Sequence, residues 1–271
     1  MNFPKVLPES YLKYPQYFYK YIPFTKASYI EDILSGNLLY FSLPEEFHEN
    51  DNYDCRCFKI VNESKLDRQQ NINDEIKLDN PNLPQLQKNK YINPDKKYTD
   101  KSKILNRLIK DGFNSYRTGI MCVTDSQESI KMWKEYIPNG EGVCIKLDGW
   151  IIYEHLCSIP VSACEITQNF CLLRRVDYVS KPLRISYHDF VVKDPGEVGV
   201  ALLYTKLKKK EFEQEYRFMI HECINQSIKF PAEIVKEVIA GPNNTDEQMK
   251  LINSWNNTRI SHFSINKRNG Y

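Results

Sequence analysis

Residues 211–220 run Glu211, Phe212, Glu213, Gln214, Glu215, Tyr216, Arg217, Phe218, Met219, Ile220, and their alternation constrains the fold more than any other stretch. Side chains on a β-strand point to opposite faces in turn. A strand over these ten residues places Glu211, Glu213, Glu215, Arg217 and Met219 on one face and Phe212, Gln214, Tyr216, Phe218 and Ile220 on the other. The second face can dock on a core. The first is nearly all charge and must meet either water or a cleft. Neighbours along it stand roughly 7 Å apart, close enough for one carboxylate to perturb the next and for Arg217 to offset both. Two readings follow: a solvated edge of an antiparallel sheet, in which Glu215 and Arg217 screen each other, or a carboxylate pair set up for acid, base or charge-stabilising work.

With 271 residues, the chain is long enough to bury a large core, and its aromatic content excludes a disordered chain. A net charge of +2 gives no global attraction to nucleic acid or an anionic membrane, though Lys206, Lys208, Lys209 and Lys210 form a local basic patch. No stretch approaches the roughly 20 apolar residues that span a bilayer, and the first residues lack a basic-then-apolar secretory pattern, so the expected location is cytoplasmic and no membrane partner is expected. The eight cysteines (55, 57, 122, 144, 157, 164, 171 and 223) form no CxxC unit. Cys55 and Cys57, read as two residues of one strand, point the same way, but no further ligand completes a metal set, and no metal is expected.

In chain order, residues 18–22 alternate as a strand that Pro23 ends. Thr25 or Ser28 caps a helix carrying Tyr29, Ile30, Ile33 and Leu34, closed by Gly36, and residues 38–43 form a second strand stopped by Pro44. Residues 47–54 are a loop dense in acids and amides, suited either to Asx-turns or to holding a ligand hydroxyl or divalent cation. Residues 62–105 are polar and lysine-rich, interrupted by Pro81, Pro84 and Pro94, and read as an excursion of loops and short helices from a single domain spanning 1–271. A short amphipathic helix at 104–113 brings the chain back.

Strands are expected at 119–124, 143–147, 159–164, 175–179 and 234–240, with a closing strand at 259–265; residues 202–206 are ambiguous. One helix after Ser126 carries Ile130, Met132, Trp133 and Tyr136, with Trp133 and Tyr136 on one face as core or as an aromatic wall over a flat ring. Thr245 caps a last helix reaching Trp255. Strands and helices interleave without a regular repeat, which predicts an α+β fold with mixed, mostly antiparallel sheets and a few flanking helices. The absence of GxGxxG, GxxxxGK[ST] and HExxH removes the usual signatures of Rossmann, P-loop and zincin chemistry.

Several separated motifs carry a resemblance: Tyr19, Lys20 and Tyr21; Ile33 and Leu34 with Leu39, Tyr40, Phe41, Ser42, Leu43 and Pro44; Phe47 with Asn50, Asp51, Tyr53 and Asp54; Met132, Trp133 and Tyr136 before Gly142; and Phe212, Glu213, Gln214, Glu215, Tyr216 and Arg217. In order and spacing they resemble the bacterial domain-of-unknown-function family 2971 from about Tyr19 to Gly241. The family's Phe-Asn-Asp-Pro-Phe-Asp loop is spread here by His48 and Glu49 and has Asn52 at the proline position.

A more distant resemblance is to ADP-ribosyltransferase-like folds, carried by Lys20 and Tyr21, then Tyr136, then Glu213 and Glu215 around Gln214. That resemblance implies NAD as a substrate rather than a tightly bound cofactor. It makes Glu215 the catalytic carboxylate and Glu213 its helper, gives Trp133 and Tyr136 the nicotinamide, and leaves Lys20 or Arg217 for the pyrophosphate. Tyr21, Asn50 and Asp51 complete the expected substrate-binding set. The acceptor would be a protein or nucleic acid, or water in a glycohydrolase, in a bacterial defence or toxin setting. The chemistry fits a carboxylate, because cleaving the nicotinamide bond develops oxocarbenium character on the ribose. Two other readings stay open: a metal-dependent nuclease holding Mg²⁺ with Asp51, Asp54, Glu213 and Glu215, and a non-catalytic nucleotide-binding or sensor module using the same residues.

Overall fold

The structure is a computed structural model and describes residues 13–49, 54, 55, 57–60, 118–127, 129–159, 171–185, 198, 201–221, 223 and 225–269. The excursion at 62–105 and the helix expected at 104–113 lie outside the described residues, as do residues 160–164 of one expected strand. The chain divides into two compact units: one of Met1–Glu46, Arg117–Val176 and Lys209–Tyr271, the other of Phe47–Tyr116 and Asp177–Lys208.

The first unit is mixed α/β. Its strands are β1 (Tyr17–Pro23), β2 (Leu38–Phe41), β4 (Thr118–Thr124), β5 (Gly142–Asp148), β6 (Cys171–Arg175), β10 (Glu215–His221), β11 (Gln226–Lys229), β12 (Val235–Ala240) and β13 (Ser264–Lys267). The numbers left out belong to the second unit: β3 (Phe58–Ile60), β7 (Asp177–Val179), β8 (Leu183–Ile185) and β9 (Thr205–Leu207). Among the described residues, seven strands form a sheet in the order β13-β12-β5-β1-β4-β10-β6, antiparallel throughout except for the β12–β13 pair. β2 and β11 pair separately.

Among the described residues, four helices cover this sheet: α1 (Ala27–Leu34), α2 (Ile130–Tyr136), α3 (Gly149–Ser158) and α4 (Asp246–Asn257). Alternation along the strands decides which face each helix covers. Phe18 and Ile22 of β1, Met121 and Val123 of β4, Val143, Ile145 and Leu147 of β5, and Tyr216, Phe218 and Ile220 of β10 build the larger core. Ile30, Ile33 and Leu34 of α1, Ile152 and Leu156 of α3, and Ile252 and Trp255 of α4 join it. Tyr19 and Tyr21 of β1, Cys144 of β5 and Ile239 of β12 point to the other face and pack with Met132, Trp133 and Ile137 from α2 and its end. Ser129 caps α2 by accepting from Met132 N at 3.2 Å, and Asp148 caps α3 through the amides of Trp150 and Ile151. Thr245 caps α4, as the sequence predicts, and Gln248 turns that cap into a reciprocal capping box.

Several local expectations are corrected. Neither Thr25 nor Ser28 caps α1. The helix grows from a 3-10 turn (Phe24–Lys26), and Lys26 at its N-cap makes no side-chain cap. Its exit uses Asn37 in the left-handed region (φ 55°) rather than Gly36, since asparagine tolerates that conformation better than most residues. The stretch read as one strand over 175–179 breaks at Val176 into β6 and β7, which belong to different sheets.

The sheet is nearly divided between β1 and β4. These strands pair at a single position, Tyr19 with Thr124. Beyond it, Ile120 of β4 exchanges both backbone bonds with Ser42, at 2.8 and 3.0 Å, instead of with β1. Lys20 sits in the opening and donates from Nζ to the Cys122 carbonyl at 2.9 Å.

In the second unit β3 pairs with β8 and β7 with β9, both parallel. Ile185 and Leu202 are buried, with Phe58, Leu183 and Val198 packed against them. Lys206 Nζ meets Asp54 Oδ2 at 2.9 Å, a buried pair. Residues 202–206, ambiguous in sequence, divide between helical Leu202 and Leu203 and the start of β9 at Thr205. Cys55 and Cys57 do not share a strand: Cys55 occupies a left-handed turn (φ 52°) and Cys57 precedes β3. Among the described residues no helix is long and apolar enough to cross a membrane.

Candidate functional site

The stretch at 211–220 is not one strand. Residues Lys208–Glu213 form a 3-10 helix, Gln214 takes a left-handed conformation (φ 43°), and the strand begins at Glu215. The local reason is a competing set of bonds: Gln214 donates its backbone N–H and its side-chain Nε2 to the Glu211 carbonyl, at 3.2 and 2.7 Å, which closes a turn where a ladder bond would otherwise form. Glu211 is consequently exposed and not part of the charged strand face. From Glu215 onward the expected alternation holds, with Tyr216, Phe218 and Ile220 in the larger core and Glu215 and Arg217 on the opposite face. The solvated-edge reading is overturned: β10 is flanked by β4 and β6, and Glu215 and Arg217 are buried, Arg217 completely.

Strand register aligns Glu215 with a row that crosses the sheet. Glu237 pairs with Lys146, Lys146 with Tyr19, Tyr19 with Thr124, and Thr124 with Glu215. Residues directly opposite share a face, so five strands contribute one polar row beside the cluster of Tyr21, Cys144, Ile239 and Trp133. Lys146 Nζ lies 3.6 Å from Glu237 Oε2 and 4.6 Å from the centre of the Tyr17 ring.

The two carboxylates are held differently. Glu215 Oε1 accepts from Arg217 Nε at 2.5 Å. Glu213, only 2% exposed, accepts from the Tyr136 hydroxyl at 2.8 Å through Oε1, and Lys210 Nζ stands 3.5 Å from the same oxygen. Each buried carboxylate thus has a cation beside it, which offsets the cost of removing its charge from water.

The other expected residues separate. Tyr21 belongs to the same face as Glu215, with its hydroxyl 2.9 Å from the Ser126 carbonyl and 2.7 Å from that of Gln127, and burial pushes its phenol well above the ordinary range. Lys20 lies on the opposite face, its ammonium 5.7 Å from the Tyr29 ring of α1. Trp133 is fully buried, packed edge-on against Tyr21 at 5.3 Å and beneath Arg268 at 5.2 Å. Tyr136 reaches the surface at 38% exposure. Asn50 and Asp51 lie outside the described residues. Among the described residues no three His, Cys, Asp or Glu side chains gather as a metal set.

Sequence reasoning missed three contributors. Lys210 and Phe212 border Glu213 from the 3-10 helix, and Lys131 reaches over the Phe212 ring from α2 at 4.2 Å. The basic run ending at Lys210 signalled the first of these. At the strand end on the opposite face, Asp125 and Tyr216 are hydrogen-bonded near Arg175. Burial raises the Asp125 carboxyl above its ordinary range against the opposing pull of Arg175, and burial followed by the Asp125 charge raises the Tyr216 phenol. In comparison with known proteins, no family model matches the chain, and neither does any curated protein or solved structure.

Proposed function

We propose that the chain binds NAD over the Glu213–Glu215 turn and cleaves its nicotinamide–ribose bond, passing the ADP-ribosyl group to water or to an acceptor. The supporting observation is the turn itself: two buried carboxylates, on either side of left-handed Gln214, each held beside a cation. A carboxylate fixed in advance stabilises positive charge developing on a ribose without reorganising at the moment of reaction. In this reading Glu215 faces the oxocarbenium-like centre. Glu213 acts through the Tyr136 hydroxyl, which it orients on a residue that is partly exposed. This reading follows the distant resemblance to ADP-ribosyltransferase-like folds, which also implies a bacterial defence or toxin setting.

One observation favours a second reading, a non-catalytic nucleotide-binding module: Arg217 is wholly buried and clamps Glu215 as a structural ion pair would. Calorimetric titration with NAD, together with chromatographic detection of free nicotinamide, separates the two. Binding with nicotinamide release supports the enzyme, binding without release supports the module, and no binding contradicts both.

A further inference from the structure

Phe212 is half-buried at the margin of the Trp133 cluster, and two lysines from different elements converge on its ring. Lys131, exposed in the first turn of α2, places Nζ 4.2 Å from the ring centre; Lys210, in the 3-10 helix, places Nζ 5.6 Å from it. The face of an aromatic ring attracts each ammonium, but two like charges drawn to one ring repel each other. Glu213 lies 3.5 Å from Lys210 and offsets that charge in part, while its Oε1 is also engaged by Tyr136. Exposed Lys208 and Lys209 precede Lys210 on the same short helix, so the positive charge exceeds what Glu211 and Glu213 supply there. A ring edged by lysines suits a ligand that combines a flat base with phosphate oxygens, since ammoniums meet phosphate as point charges and aromatic faces stack on bases.

We infer that Lys131, Lys210 and Phe212 form a phosphate shelf that takes the pyrophosphate of a dinucleotide, with its ribose directed toward Tyr136 and Glu213. This assignment rests on the NAD reading above and adds the residues that hold the phosphates. It moves that role away from Lys20, which is on the opposite face and engaged with the Cys122 carbonyl.

The test is calorimetric titration of the full chain at low ionic strength with inorganic pyrophosphate and with ADP-ribose. Lys131→Gln and Lys210→Gln should each weaken pyrophosphate binding by about tenfold or more, the size of one lost charge-assisted contact. Lys131→Arg should retain binding, and Lys267→Gln, on exposed β13, should match wild type. Phe212→Leu should weaken ADP-ribose more than pyrophosphate. Equal affinities in Lys131→Gln and Lys267→Gln, no pyrophosphate binding by wild type, or tighter binding of a single-stranded oligonucleotide than of ADP-ribose would each overturn the shelf. The two readings fail separately. Nicotinamide release with unchanged pyrophosphate affinity in Lys131→Gln removes the shelf and keeps the enzyme; lost affinity in that variant, with no release by wild type, keeps the shelf and removes the enzyme.

Discussion

Arg217 donates its Nε–H to Glu215 Oε1 across 2.5 Å, two residues away on the same strand, and both side chains are buried. The residues point to the same face because strand side chains repeat every second position. A buried pair of this kind contributes little against an apolar pair of equal shape, but it costs heavily when one partner is removed and the other is left in the interior. Arg217→Met should therefore destabilise the protein by about 3–5 kcal/mol, whereas Glu215→Gln combined with Arg217→Met should recover much of that loss. Urea denaturation of the two singles and the double provides the cycle. A double variant no more stable than Arg217→Met would show that the two side chains are not coupled.

Tyr136 and Glu213 provide a smaller test. Removing the hydroxyl in Tyr136→Phe leaves the buried carboxylate one donor short, at a cost of about 1–3 kcal/mol. Thermal melting should show this loss, and Glu135→Gln, an exposed neighbour, should melt as wild type does. If Tyr136→Phe also melts as wild type, the hydrogen bond does not hold Glu213 in place.

Arg259 fastens the end of α1. Its guanidinium donates to the carbonyls of Ile33 and Leu34, at the helix terminus, and to Ala232 and Ser261. The last carbonyls of a helix lack partners within it, and burial already pulls the arginine below its ordinary range. Arg259→Met should cost about 2–4 kcal/mol, as several buried acceptors lose their donor together. Amide hydrogen exchange should rise first in α1. Uniform exchange across the sheet, with α1 still protected, would contradict the capping role.

Asp125 gives a pH signature. Burial, partly countered by Arg175 and the Tyr216 bond, raises its carboxyl in the folded state. The folded protein therefore holds that proton more tightly than the unfolded chain. The contribution to stability is full below the ordinary aspartate range and is lost as pH rises through the raised folded value. Asp125→Asn should thus be stabilised relative to wild type near neutrality, with the advantage shrinking as pH falls into the carboxylate range. Denaturation midpoints across pH would show this; an advantage that grows toward acid has the wrong sign.

Much of the first unit is legible in sequence because its signals are local. Alternation in β1 and β10, the apolar spacing of α1 and the Thr245 cap each depend on residues a few positions apart. The break at Gln214 is different: a glutamine rarely adopts a left-handed conformation, and its bonds to the Glu211 carbonyl compete with a strand whose pattern continues unbroken through it. The separation of Lys20 from Glu215 follows from parity in β1 and β10 together with the pairing of β1, β4 and β10, which only the sheet order supplies. The convergence of Lys131 with Lys210 on Phe212 is likewise tertiary, joining residues some eighty positions apart.

If the Glu215 charge serves bond cleavage, nicotinamide release from NAD must differ between wild type and Glu215→Gln, each first shown to be folded by its melting curve. Gln keeps the size of the side chain and removes its charge, so kcat should fall by at least about a hundredfold with the dissociation constant for NAD little changed, the pattern of an interaction made in the transition state. Glu211→Gln, on the exposed side of the turn, should release nicotinamide at the wild-type rate. Equal rates for wild type and a folded Glu215→Gln, or no release by either, would show that the Glu215 charge does not serve bond cleavage.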